Sequence, residues 1–431
     1  MAPAVTPDET HRTVNAVWRI ESARIVAALA RRVRDLGLAE ELAQDALLAA
    51  LEQWPRDGIP DNPGAWLMVA AKHRAVDALR RRMLHEGKAP ELARELDAQH
   101  AMAAADFAEA VDAALDDEVG DDLLRLLFIA CHPVLSREAR VALTLRLVGG
   151  LATDEIARSF LVPEATIAQR IVRAKRSLAA ARVPFEAPRG PELQARLSSV
   201  LEVIYLVFNE GYAATAGEDW MRPALCEEAL RLGRILAGLM PEDPEVHGLA
   251  ALMEIQASRA GARVDAQGEP VLLMEQNRGR WDRLLIGRGL AALERAERLG
   301  GALGPYALQA AIAACHARAR SAPETDWPRI AALYDALARI APSPIVELNR
   351  AVALSMAFGP AAGLERVDTL RDEPLLQGYH LLPSVRGDLL AKLGRHAEAR
   401  AEFQRAAELT RNARERRLLL RRALACATNG S

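Results

Sequence analysis

Aromatic residues are scarce, at 4% of 431 residues, so few stacking surfaces or large aromatic clusters are available to the chain. Val, Ile and Thr never cluster with strict alternation. Strand signals are therefore almost absent, and an all-α chain is expected. No run of eighteen apolar residues occurs, so no membrane span and no membrane partner are expected. Met1 to Thr13 is polar and has no apolar central stretch, so no signal peptide is read there. The four cysteines, Cys131, Cys226, Cys315 and Cys426, are far apart and form no CxxC pair. That excludes a disulfide framework and fits a reduced, cytoplasmic setting. Cys131-His132 has no second pair at ligand spacing, so no metal is expected. Gly287-Arg288-Gly289 lies in helical sequence with no strand before it, which argues against a nucleotide loop. No Ser/His/Asp or Cys/His arrangement stands out. No catalytic residue, no cofactor and no enzymatic activity are assigned.

Charge of one sign is lacking overall, with 55 basic against 58 acidic residues and a net charge of -3. Basic charge is concentrated locally, at Arg80-Arg81-Arg82 and between Arg170 and Arg176. Local patches of this kind bind nucleic acid without a basic whole.

What is present is helix. Residues 14 to 35 carry the stripe Val17, Trp18, Ile25, Leu29 and Val33, with Gly37 as the expected stop. Residues 39 to 54 bury Leu42, Ala43, Ala46, Leu47, Ala50, Leu51 and Trp54 and turn Glu40, Glu41, Gln44 and Asp45 outward. After the turn-rich loop from Pro55 to Gly64, residues 65 to 83 begin apolar at Trp66, Leu67 and Val69. They end basic, with Lys72, Arg74, Arg80, Arg81 and Arg82. The expected division is a helical domain at 10–83, an acidic, Ala-rich linker at 84–118 and a second helical domain at 119–185. The proline-rich break from Val183 to Pro191 precedes an extension at 191–431.

The second domain contains a helix-turn-helix pattern. Thr153 is the expected N-cap, with Asp154 and Glu155 at the positive end of the first helix. Ile156, Ala157 and Phe160 form its stripe. Pro163 opens the second helix, where Ile167, Ile171, Ala174 and Leu178 recur at core spacing. Glu164, Thr166, Gln169, Arg170, Arg173, Lys175 and Arg176 are left outside. The early ones suit base edges in a major groove and the later ones suit phosphates. In the extension, Gly387, Leu390, Gly394, Ala399, Phe403 and Ala406 follow the small and large spacing of a tetratricopeptide repeat. Tyr334, Leu337 and Pro342 fit a second repeat, and Ala229, Gly233, Leu236 and Pro241 a third. Arg411 to Ala425 reads as a basic last helix that caps an α-solenoid.

This order of elements resembles the extracytoplasmic-function sigma factors of bacterial RNA polymerase over about residues 10 to 183. The fold implied is a sigma region 2 helical domain, a sigma region 4 helix-turn-helix domain and a C-terminal tetratricopeptide-like extension. Glu40, Glu41, Gln44 and Asp45 resemble the segment that docks on the polymerase β′ coiled coil. Trp66, Lys72, His73, Arg74, Arg80 and Arg81 resemble the segment that melts and reads the -10 element. Residues 153 to 178 resemble the -35 reader. The resemblance implies core RNA polymerase, through its β′ coiled coil and β flap, and promoter DNA as partners. The solenoid would offer a surface to a protein or peptide and would modulate activity in cis. Asn209-Glu210-Gly211-Tyr212 and Gln276-Asn277-Arg278 match features of a subgroup with such an extension. Two positions depart from the pattern. Leu161 stands where the turn usually has Gly, which costs about 1 kcal/mol if the residue is left-handed, and His73 stands where Asn is frequent. Asp77 fits a pair with Arg81 one turn on. The alternative reading is a DNA-binding transcription regulator with a tetratricopeptide-like sensor domain that does not bind core polymerase. A scaffold in which the repeats do the work would leave Arg170 to Arg176 unexplained.

Overall fold

Helix α1 (Pro7–Val33) ends where Arg34 takes a positive φ of 52°, and Asp35 then caps α2 (Leu36–Asp57) by accepting the Leu38 N–H at 3.0 Å. Gly37 is therefore not a stop. It sits in the first turn of α2, because Asp35 supplies the cap one step earlier. Helix α3 (Pro63–His85) is capped by Asn62, whose Oδ1 accepts the Ala65 N–H at 3.0 Å. The three helices pack on one another around Ile25, Leu29, Ala43, Ala46, Ala50, Leu67 and Ala71, all fully buried. The alanines of α2 let its neighbours approach closely.

A computed structural model describes residues 7–85 and 122–428, and the chain forms two compact units, residues 1–203 and 204–431. The linker expected at 84–118 lies outside the described residues apart from 84 and 85, which end α3. The first unit continues with α4 (122–130), α5 (Arg137–Leu147), α6 (Thr153–Phe160), α7 (Glu164–Ala180) and the start of α8 (Pro191–Tyr212). The units divide at Val203/Ile204, inside α8, and not at the proline-rich stretch before it. The reason is local. Arg196 donates to the Phe128 carbonyl at 2.8 Å, Ser199 Oγ to the Cys131 carbonyl at 2.7 Å, and Glu202 pairs with Arg137. The Cys131 thiol lies 3.3 Å from Thr144 Oγ1, and burial pushes it up to about 12.

The second unit holds α9 (Pro223–Leu239), α10 (Pro244–Ala257), α11 (Arg283–Arg298), α12 (Pro305–Arg318) and α13 (Trp327–Ile340). It continues with α14 (Pro344–Phe358), α15 (Pro360–Asp368), α16 (Leu381–Lys392), α17 (His396–Leu409) and α18 (Ala413–Thr428). Consecutive helices pack as neighbours. In the α16/α17 hairpin a Cβ on Gly387 would lie 3.0 Å from the Phe403 ring and 3.2 Å from the Ala399 carbonyl. The small residue thus admits the aromatic, as its spacing predicts. The basic last helix begins at Ala413. Before it, β2 (Arg411–Asn412) pairs in parallel with β1 (Ala216–Gly217), a short sheet that returns the end of the unit to its beginning. Buried Asn412 donates to the carbonyls of Ala214 at 3.0 Å and Asp219 at 2.8 Å. Arg414, Arg417 and Arg421 of α18 all pair with Glu269, so this basic face is consumed internally.

Among the described residues no helix is long and apolar enough to cross a membrane.

Candidate nucleic-acid interface

The helix-turn-helix is built by α6 and α7. Helix α6 starts without a side-chain cap at its N-cap Ala152. Glu155 instead reaches back to accept the Ala152 N–H at 2.8 Å. Thr153, the expected cap, is consequently the first helical residue. The turn is made by Leu161 at φ 50°, ψ 44°, in the left-handed region, with its N–H returned to the end of α6. Leu pays the steric cost of that conformation where Gly would not. Pro163 then precedes α7.

Helix α7 buries Ile167, Ile171, Ala174 and Leu178, its expected core face. The three larger side chains contribute about 1.5–3 kcal/mol each, which holds the helix rigidly. The opposite face carries Gln169, Arg173 and Arg176 exposed, with Glu164 exposed at the start and Thr166 and Arg170 half-buried. Neither Arg173 nor Arg176 makes a hydrogen bond or ion pair among the described residues. Arg170 is near enough to Glu138 to feel its charge. Two guanidiniums left unpaired on a rigid helix are available to phosphates or base edges.

Lys175 is engaged. Its ammonium donates to Glu40 Oε2, and Arg146 Nε of α5 donates to Glu40 Oε1 at 2.7 Å. Gln44 Nε2 adds a bond to Glu40 Oε1 at 3.1 Å. Glu40 is 7% exposed, and so is not on the outer surface of α2. Burial alone would raise its carboxyl. The Lys175 and Arg146 charges outweigh that and hold it below its ordinary value of 4.5. A residue expected to dock on polymerase and a residue expected to touch DNA therefore satisfy each other. The sequence gives no local sign of the part played by Arg146, in the last turn of α5, or of a pair whose members are 135 positions apart. The same closed face is held by Arg19 and Glu155 at 3.9 Å and by Arg31 and buried Asp122 at 3.3 Å. A cleft of about 770 Å³ lined by Trp18, Gln44, Leu48, Asp154 and Arg158 lies beside it. Glu41 and Asp45 stay exposed on α2.

On α3, Trp66 packs edge-to-face on buried Trp54 with ring centroids 5.5 Å apart, and stays half-buried. His73 and Arg81 are exposed, and Lys72, Arg74 and Arg80 half-buried. Arg74 Nη1 donates to the Ala70 carbonyl at 3.1 Å. Asp77 pairs with Arg80 at 3.6 Å, three residues on, while Arg81 donates to the Asp77 backbone carbonyl at 3.3 Å. The Asp77 carboxylate thus pairs with Arg80 and not Arg81, whose guanidinium is turned to the backbone carbonyl instead. These groups form a cationic strip on α3, apart from that on α7.

Comparison with known proteins places matches on both strips. Residues 20–84 match sigma-70 region 2, residues 125–178 match sigma-70 region 4, and residues 196–297 match a family of unknown function. The chain is 46% identical over 391 residues, 90% of each chain, to an uncharacterized protein of Rhizobium meliloti. It is 29% identical over 173 residues to a probable ECF RNA polymerase sigma factor, SigI, of Mycobacterium tuberculosis, covering 40% of this chain and 57% of that one. It is 28% identical over 159 residues to the ECF RNA polymerase sigma factor SigK of Mycobacterium ulcerans, covering 36% of this chain and 78% of that one. No solved structure matches the chain.

Proposed function

The chain belongs to one family with the Rhizobium meliloti protein and is a sigma factor by its two sigma-70 regions, and from that premise we propose how its parts divide the work. Unit residues 1–203 direct core RNA polymerase to promoters whose -35 element is read by α7 and whose -10 element is met by α3. The observation that carries this is the outward face of α7, where Gln169, Arg173 and Arg176 stand exposed on a helix fixed from behind by four buried residues. Glu164, Thr166 and Gln169 lie at its start and suit base edges, and Arg170, Arg173, Lys175 and Arg176 suit phosphates. Trp66, Lys72, His73, Arg74, Arg80 and Arg81 engage the -10 strand. Glu41, Gln44 and Asp45 dock on the β′ coiled coil, and region 4 meets the β flap. Catalysis belongs to the polymerase.

Glu40 has two roles in turn. In the isolated unit it holds Lys175 and Arg146, which keeps the α2 surface and the α7 surface closed on each other. Engagement of core polymerase releases Lys175 to DNA and frees Glu40 to join the docking set. The second unit is a tetratricopeptide-like array that modulates this step in cis, and the chain acts in the cytoplasm.

Reconstitution with core polymerase on a promoter library tests the reading. Specific transcripts sharing two short boxes are expected, and Glu41→Lys with Asp45→Lys should abolish co-elution with core while leaving the melting temperature unchanged. Failure of the unaltered chain to bind core would favour a regulator that acts on DNA alone.

A further inference from the structure

Two segments that promoter recognition leaves unused, Asn209-Glu210-Gly211-Tyr212 and Gln276-Asn277-Arg278, both lie near Arg259 in the second unit: Tyr212 bonds to it, and Arg278 shares the Trp281 ring with it. The Arg259 Nη2 donates to the Tyr212 hydroxyl and to Gln256 Oε1. The Arg263 guanidinium lies 3.6 Å from the Tyr212 ring centroid and donates to the Tyr212 carbonyl at 3.0 Å. Arg259 and Arg278 flank the Trp281 ring at 5.8 and 5.1 Å. Arg278 is buried, its two Nη groups spent on the carbonyls of His316 and Ala319 and on Thr325 Oγ1.

Three cations thus share one region, and every acceptor they have is neutral. Elsewhere in this unit arginines meet carboxylates, as Arg222 meets Glu210, Arg234 meets Glu254 and Arg386 meets Asp368 and Glu402. Among the described residues no carboxylate pairs with Arg259, Arg263 or Arg278, and the Nε–H of each is buried without an acceptor. The cost is visible in the neighbours. Burial, then the Arg259 and Arg278 charges, push His316 down to about 3. Burial and the Arg259 charge also push Arg263 and Arg278 below the ordinary arginine value. The Glu324 charge offsets part of this at Arg278, but among the described residues no carboxylate answers Arg259 or Arg263, and a fold does not gain stability from gathering like charges.

Both Nη groups of Arg278 are engaged, and its guanidinium lies beside the Trp281 ring. Arg259 and Arg263 are only half-buried, and the Nη1 of each donates to nothing among the described residues. Two guanidinium edges with free N–H groups, fixed by stacking on aromatic rings, match an oxyanion. We propose that Arg259 and Arg263 form a binding site for a small ligand bearing a carboxylate or phosphoryl group. The site lies wholly within the second unit. It would give that unit a chemical input, and it stands or falls separately from the promoter reading.

The test uses the full chain and two bare probes, inorganic phosphate and acetate, titrated at constant ionic strength against sodium chloride. Calorimetry reports binding. Saturable binding of at least one probe is expected, with a dissociation constant on the order of 1 mM for a bare anion. The stronger probe tells whether a phosphoryl or a carboxylate group is read. Arg259→Gln and Arg263→Gln should each weaken it at least tenfold, while Arg288→Gln, exposed on α11, should not. Arg259→Lys and Arg263→Lys keep the charge but lose the two-pronged edge, and should also weaken it. Absence of saturable binding by the unaltered chain overturns the proposal. So does binding that survives in all four arginine variants.

Discussion

Replacing Glu40 with Gln keeps the shape of the side chain and removes its charge. The carboxylate now takes one bond from Arg146 at 2.7 Å and one from Lys175, with Gln44 as a third donor. Charge-assisted bonds contribute about 1.5–3 kcal/mol each. Arg146 and Lys175 are each 23% exposed, so screening trims the sum. A loss of about 2–3 kcal/mol for the set is the working figure, or a shift of about 30- to 150-fold toward an open first unit. The pH dependence has a definite sign. The Glu40 carboxyl sits below 4.5 when closed, since the two cations outweigh burial. Its contribution is therefore present above about 4.5 and is lost as pH falls through the lowered value. All four cysteines are buried, which lets spin labels at Gln53 and Ser177, both exposed, report selectively. Pulsed dipolar spectroscopy on the free chain at pH 7 should give one narrow distance distribution for the native sequence and a broader one for Glu40→Gln. Native chain taken well below pH 4.5 should move the same way. An unchanged distribution in the variant refutes the reasoning, because the closed face would then not depend on this carboxylate.

Other outcomes follow from single residues. Leu161→Gly relieves a left-handed Leu that is 54% exposed and should raise stability by about 0.5–1 kcal/mol in urea denaturation. Loss of stability would show that Leu161 packs usefully. Arg173→Ala and Arg176→Ala should each lower promoter affinity of the holoenzyme and reduce the slope of log affinity against log salt by about 1, read by anisotropy over a salt series. An unaltered slope would take those side chains off the phosphates. Gly211→Ala places a Cβ 2.5 Å from the Cys226 backbone nitrogen and should cost about 1–3 kcal/mol, visible as a lower melting temperature. Asn412→Ala leaves two carbonyls without their donor and should cost about 2–4 kcal/mol, and a melt identical to the native one would contradict it.

Periodicity made the helices legible. Ile167, Ile171, Ala174 and Leu178 were readable as the inner face of α7 because a helix with one dry side must repeat apolar residues every three to four positions. The outer face followed by subtraction. Local capping was less legible. Thr153 looks like a cap, yet Glu155 satisfies the chain one residue earlier, and Asp35 displaces Gly37 as the signal between α1 and α2. What could not be read at all is what joins remote positions. Glu40 carries the same chemistry as Glu41 in sequence, and only the fold buries one against Arg146 and Lys175 while leaving the other in water. Trp66 reads equally as a base-stacking group or as core, and the structure shows it half-buried on Trp54. The arginines at 414, 417 and 421 look like a surface charge run until Glu269 is seen beneath them.

The pairing of Ala216–Gly217 with Arg411–Asn412 has a bearing on biosynthesis. An open stack of hairpins gains order one unit at a time as it leaves the ribosome. Here the first edge must wait for a partner about 195 residues further along the chain. Until then that edge of the nascent unit stays unpaired. A chain that stopped before residue 411 would lack the strand that closes this edge.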